Sequence, residues 1–217
     1  MNLIDLSDFI ENVKRYQNSV YALDSLYQRI VKRRDIWDRL NEITDYSTET
    51  IVLNFLNQWK CRLSYVCAPS LAKTLRSCSQ IFSQFRDDHL EKVNPDYLFN
   101  HSEPIEEAFW RISSVRAGRR SIGPTATSKI LHLVNPQFFM MYDRNIRLGY
   151  GCSENESGYM HFMLIMKQLG DNLIYEYAST RKISKTEALH HLAAECKSSA
   201  TTLPKLLDEY NWIEFNL

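Results

Sequence analysis

Two features of the chain stand at a spacing that could do chemistry. One is Gly123-Pro124 at the head of an apolar segment; the other is Asp143, twenty residues on, preceded by Phe138, Phe139, Met140, Met141 and Tyr142. Glycine permits a turn, and proline is preorganised for the first helical position, where its missing N–H is no loss. A helix opening there points its free N–H groups and positive dipole end outward, an arrangement that binds phosphate. Arg119 and Arg120 lie just before it and add full charges to the partial ones. At the far end, an aspartate after five apolar or aromatic residues is either a surface helix cap or a carboxylate held in a pocket. The residues alone leave both open.

The elements that must position these groups read as helices. Apolar residues recur at helical spacing along most of the chain and convincing period-two strand patterns are absent, so an all-α protein is expected. Helices are predicted over 3–16, 19–43, 48–65, 69–88 and 103–115, then from Gly123 to Asn135-Pro136, and near 158–169, 171–181, 185–197 and 203–211. Gly118 is expected to end the helix over 103–115, leaving residues 119–122 as a tight connection between two helices. Ser184-Lys185-Thr186-Glu187 has the pattern of a capping box. No linker interrupts the chain, so residues 1–217 are expected to form a single all-helical domain, in which any two lobes would share helices.

From Gly118 to Arg147 the sequence resembles the hairpin and catalytic segment of the helix-hairpin-helix DNA glycosylase superfamily. There a Pro-Gly-Val-Gly-like turn opens a helix and an aspartate follows its far end. Ser121-Ile122-Gly123 matches the Gly-Val-Gly part, the interval to Asp143 is similar, and Asp143 falls on the family's catalytic aspartate. The resemblance implies a helix-hairpin-helix glycosylase-like fold with a cleft, a monomer, and double-stranded DNA with one base flipped out as partner. It implies DNA contacts from Arg119, Arg120, Ser121, Ile122, Gly123, Thr125, Lys129, Arg144 and Arg147, and a base pocket drawn from Trp110, His132, Phe139 and Tyr142. No cofactor is implied. Two departures matter. The first hairpin glycine is Ser121, and the lysine of the strand-cleaving members is Thr125; the four-cysteine iron–sulfur signature of some members is also missing.

The chemistry implied is hydrolysis of an N-glycosidic bond. Positive charge develops on the sugar, and one preorganised carboxylate stabilises it while orienting or activating water. Without a lysine at position 125, hydrolysis without Schiff-base strand cleavage is expected, in base excision repair or in defence against modified foreign DNA. The alternatives from other classes are a non-catalytic DNA-binding module and a helical protein-interaction or toxin-like protein.

Composition agrees with a folded domain. The 217 residues are 44% hydrophobic, ample for a core, and the formal net charge is zero. The charge is unevenly spread: residues 110–150 carry Arg111, Arg116, Arg119, Arg120, Lys129, Arg144 and Arg147 against the lone acid Asp143. That segment is either a solvated basic face or a polyanion site. Five scattered cysteines without a CxxC pair argue against a disulfide framework or structural zinc. With no secretory leader or membrane span, a cytoplasmic protein is expected, in which the sequon Asn155-Glu156-Ser157 is accidental. Gly123 to Ile130 fails the phosphate-loop pattern, because Ser128 and Ile130 stand where glycine and a hydroxyl are needed. His191 and Glu195, one turn apart, lack a third ligand, so no metal is expected. Lys32-Arg33-Arg34 reads as a solvated helix face.

Overall fold

A computed structural model describes residues 4–19, 21–31, 46–200 and 202–217. Its helices are α1 (Leu6–Ser19), α2 (Tyr21–Val31), α3 (Tyr46–Gln58), α4 (Ala68–Ser77), α5 (Ser79–Gln84), α6 (Pro95–Asn100), α7 (Ser102–Ser113), α8 (Gly123–Val134), α9 (Arg144–Gly149), α10 (Glu156–Arg181), α11 (Lys185–Glu195) and α12 (Leu203–Asn216). A 3₁₀ turn, Tyr65–Cys67, precedes α4, and two two-residue strands, β1 (Arg116–Ala117) and β2 (Arg120–Ser121), sit between α7 and α8. The expectation of a mostly helical protein holds. Lys32-Arg33-Arg34 and the second half of the helix expected over 19–43 lie outside the described residues.

The helices pack as two neighbourhoods that share α10. In one, α10 runs along α7 and α11, and α7 packs on α8. In the other, α12, from the end of the chain, lies along α1, from its beginning, and also meets α9 and α10. Helix α3 bridges them by contacting α2, α4 and α8. Most of the buried apolar side chains form one continuous core.

Several boundaries differ from the sequence reading, each for a local reason. Helix α3 stops at Gln58 rather than near Tyr65, because Lys60 and Arg62 take left-handed backbone angles, with φ of 61° and 54°. Asn57 holds that reversal by accepting from Leu63 N at 2.6 Å and donating to Leu63 O at 2.9 Å. The helix expected over 69–88 is divided at Cys78 into α4 and α5. Gly118 does not end a helix, since α7 already ends at Ser113. Its φ of +76° instead opens a two-residue turn joining β1 to β2, the glycine-first form that suits a hairpin.

The two helices expected on either side of Gly170 are one, α10. A glycine normally weakens a helix interior, but here its missing side chain admits Leu203 of α12: a Cβ at position 170 would come within 2.6 Å of Leu203 Cδ2. Gly170→Ala is therefore expected to destabilise the protein by about 1–2 kcal/mol despite alanine's better helix propensity. Urea denaturation measures this, and a stabilised variant would show that α12 yields freely at that contact.

Candidate functional site

The segment between α8 and α9, residues 135–143, is largely buried yet belongs to neither helix nor sheet. Buried backbone polar groups need partners, and without a regular ladder side chains must supply many of them. Helix α8 supplies two of them from one face. Ser128 Oγ accepts from Tyr142 N at 2.9 Å, and one turn on, His132 Nδ1 bonds Phe139 O at 2.7 Å. Helix α10 supplies two more: Tyr159 donates its hydroxyl to Met140 O at 3.0 Å, and Met163 Sδ lies 3.3 Å from Met140 N. Because a carbonyl only accepts, His132 Nδ1 carries the proton, leaving Nε2 to accept from the Tyr27 hydroxyl at 2.7 Å. Burial pulls the His132 pKa down to about 3, a shift that the bond to Phe139 O opposes, so the ring stays neutral.

This clamped segment delivers Asp143 to the start of α9. The aspartate caps that helix, its Oδ1 accepting from Ile146 N at 3.0 Å. The cap is only half of its surroundings. Asp143 also lines a cavity of about 100 Å³ together with Tyr16, Gln58, Trp59, Lys60, Lys129, Met141, Asp208 and Trp212. For scale, an apolar cavity of about 150 Å³ takes up benzene. Asp143 Oδ2 has no hydrogen-bond partner among the described residues.

The walls come from distant parts of the chain: Tyr16 from α1, Gln58 to Lys60 from the end of α3, Lys129 from α8, and Asp208 and Trp212 from α12. Lys129 is buried, with its ammonium 3.3 Å from Trp59 O and 5.1 Å from the centre of the Trp59 ring. It makes no salt bridge to a carboxylate among the described residues. Behind the cavity lies a second lysine, Lys205, at 1% exposure. Its ammonium stands 3.2 Å from Asp24 Oδ2, 3.2 Å from Asp208 Oδ2 and 3.5 Å from Glu209 Oε1, and it donates to the Tyr16 hydroxyl at 3.2 Å. Burial alone would lower the Lys205 pKa, but Tyr16 and the three carboxylates hold it well above its ordinary value. Burial, reinforced by the charges of Asp24 and Asp143 and opposed by Lys205, pushes the Asp208 carboxyl up to about 6.

The basic residues of 110–150 divide into two sets. Arg111 pairs with Glu107 at 2.5 Å, Arg147 is buried and pairs with Glu154 at 2.7 Å, and Lys129 faces the cavity. Arg116, Arg119, Arg120 and Arg144 are exposed and have no acidic partner among the described residues. Three of these four belong to the hairpin that leads into α8. Strand β1 packs on the 3₁₀ turn, whose Tyr65 and Val66 are exposed beside it. Ser121 is exposed, Ile122 is buried, and Gly123 and Thr125 are half-buried at the start of α8.

The residues expected in a base pocket are not brought to the cavity. His132, Phe139 and Tyr142 are enclosed in the core, where His132 clamps the backbone and Phe139 packs edge-on against Phe85. Trp110 is 56% exposed on α7. The aromatic walls are instead Tyr16, Trp59 and Trp212, which the sequence reading missed along with Asp208 and Lys205. The one sequence signal was Lys205 followed by Asp208 and Glu209 at i+3 and i+4, a pattern that ordinarily marks a solvated helix surface. Among the described residues no cluster of three or more His, Cys, Asp or Glu could hold a metal ion, and no helix is long and apolar enough to cross a membrane.

No protein-family model, no curated protein and no solved structure matches the chain.

The two roles of Asp143 separate by substitution. Asp143→Asn keeps a capping side chain and is expected to hold stability within about 0.5 kcal/mol, whereas Asp143→Ala loses the cap at a cost of about 1 kcal/mol. Thermal unfolding of both variants checks this. Equal losses would mean that the carboxylate charge, rather than the cap, holds α9.

Proposed function

We propose that the chain is a DNA glycosylase-like hydrolase that draws a damaged or modified base out of the duplex and cleaves its N-glycosidic bond, with Asp143 facing the sugar. The observation that carries this reading is the double role of Asp143. Its cap fixes the carboxylate, and the same residue lines a cavity with aromatic walls. A flipped base needs that combination: aromatic faces to replace the stack it has left, and a fixed charge where the sugar becomes cationic.

The exposed arginines of the hairpin support the DNA side of the reading. Phosphate contacts position a protein on a duplex, and unpaired guanidiniums beside a helix start are suited to that task. Lys129 stands about 9 Å along α8 from Gly123, at a rise of about 1.5 Å per residue, so one helix connects the hairpin to the cavity. In the proposed reaction the C1′–N bond breaks, its electron pair passes to the base, and the sugar takes on oxocarbenium character. Asp143 stabilises that charge and accepts the proton of the water that adds to C1′. The outcome is an abasic site without strand cleavage, as the absence of a lysine at position 125 led us to expect. Repair of damaged bases and attack on modified foreign DNA both use this product.

The test is incubation with duplexes that each bear one damaged or naturally modified base, followed by alkali to reveal abasic sites. Release from at least one duplex is expected, with Asp143→Asn slower by about 100-fold or more in single turnover. An unaffected Asp143→Asn enzyme removes the aspartate from the mechanism. DNA binding without base release by the wild type would instead favour a non-catalytic binding module.

The hairpin is tested separately. Arg119→Ala with Arg120→Ala is expected to weaken duplex binding and to reduce the slope of log affinity against log salt by about 2, near 0.9 for each phosphate no longer neutralised. Affinity and slope unchanged in fluorescence anisotropy would exclude the hairpin from the interface.

A further inference from the structure

The cavity is lined by two carboxylates, and the reaction proposed for Asp143 uses only one. Asp208 reaches it from α12, at the opposite end of the chain. Its Oδ2 is held by the Lys205 ammonium at 3.2 Å. Its Oδ1 has no hydrogen-bond partner among the described residues, and Asp208 lines the same cavity as Asp143. Fixing one oxygen of a carboxyl group on a buried cation while leaving the other unpartnered is unnecessary for packing alone.

The surroundings of the two acids differ. Asp143 is half-buried at the start of α9, with one oxygen accepting from the Ile146 N–H. Asp208 is buried, and the groups facing it come from several elements: Lys205 and Glu209 from its own helix, Asp24 and Tyr27 from α2, Tyr16 from α1, and Asp143 across the cavity. Lys129 adds a cation on the cavity wall. One ammonium among three close carboxylates leaves an excess of negative charge that a retained proton relieves. A carboxyl that burial and neighbouring charge hold toward its protonated form, in a cleft with a second carboxyl, is the ordinary candidate for the acid.

We infer that Asp208 is the acid that protonates the leaving base while Asp143 serves the sugar. As the C1′–N bond breaks and its electron pair recedes onto the base, the Asp208 carboxyl transfers its proton to a ring nitrogen or exocyclic oxygen of the base. Water adds to C1′ and gives its proton to Asp143. The products are a neutral base and a hydroxyl on C1′, and solvent returns the proton from Asp143 to Asp208. This assignment rests on the glycosylase reading and adds a substrate class to it. A purine alkylated on N7 already carries positive charge and gains little from an acid, whereas an uncharged base leaves faster when one protonates it. The site therefore extends the reaction from cationic bases to uncharged modified ones.

The experiment compares wild type with Asp208→Asn in single turnover on two duplexes. One bears whichever uncharged modified base the wild type releases fastest, and the other bears 7-methylguanine. Loss of the acid is expected to slow release of the uncharged base by about 100-fold, leaving 7-methylguanine release within about threefold of wild type. The wild-type rate on the uncharged base is expected to fall as pH rises above about 6, and the variant to lack that fall. A raised folded-state pKa means that the folded protein binds more protons than the unfolded chain between pH 4 and 6, so this carboxyl weakens the fold as pH rises through that window. Asp208→Asn should accordingly melt no lower than wild type at pH 7.5, which separates lost chemistry from lost structure. Equal slowing on both duplexes, unchanged release of the uncharged base, or an unchanged pH profile would overturn the role of Asp208 while leaving Asp143 in place. Release of no base from any duplex by the wild type would overturn the glycosylase reading and this assignment together.

Discussion

The arrangement depends on how a stretch of buried backbone without regular structure finds its hydrogen bonds. Residues 138–142 are enclosed, and each unpaired N–H or C=O there would cost about 1–3 kcal/mol. Helices α8 and α10 provide the missing partners through Ser128, His132, Tyr159 and Met163. The segment therefore has one path between two helices, and Asp143 emerges at a defined place. The Ser128 and His132 contacts also explain why α8 carries polar residues on a face that is otherwise apolar. They hold the strand-like segment to the helix as a ladder would hold it to a sheet.

A second constraint sits behind the cavity. Lys205 and its carboxylates are nearly dry, and bringing such charges out of water is costly unless each is closely matched. The matching is incomplete, since one ammonium serves Asp24, Asp208 and Glu209. Glu209 Oε2 receives Gln17 and Ser198, but Oε1 has only the ammonium at 3.5 Å. A core selected for stability alone would replace this group with apolar side chains of similar volume. Its retention next to a cavity fits the general trade of stability for function at sites where charges must be held ready. The cluster also ties α12 to α1 and α2, so the last helix of the chain becomes a wall of the cavity.

What the sequence disclosed was local. The start of α8, the capping box at Ser184 and the cap at Asp143 are each written in a few adjacent residues, and the structure contains all three. The sequence reading offered cap and pocket as alternatives for Asp143, whereas the one residue both caps α9 and lines a cavity. What it did not disclose was long-range. Gly170 looks like a break until Leu203 occupies its missing side chain, and the Lys205 triad looks like a surface pattern until α1 and α2 cover it. The aromatic run before Asp143 attracted attention because it is adjacent in sequence, but adjacency placed it in the core. Tyr16, Trp59 and Trp212 reach the cavity from positions that no local pattern connects.

The charges around the cavity bear on the proposed reaction as a set. Asp143, Asp208, Asp24 and Glu209 stand against Lys129 and Lys205, so full ionisation would leave more negative charge than positive. In the proposed reaction that excess would act twice. It would stabilise positive charge arriving at the sugar beside Asp143, and it would favour a proton on Asp208, the more buried of the two acids that line the cavity. The aromatic walls strengthen both by keeping water from screening the field. A lysine closer to Asp143 would neutralise the first effect, and a second cation beside Asp208 would remove the second. Lys205 lies behind Asp208, and Lys129 leans on Trp59 rather than on either carboxylate, so the two cations organise the site without neutralising it.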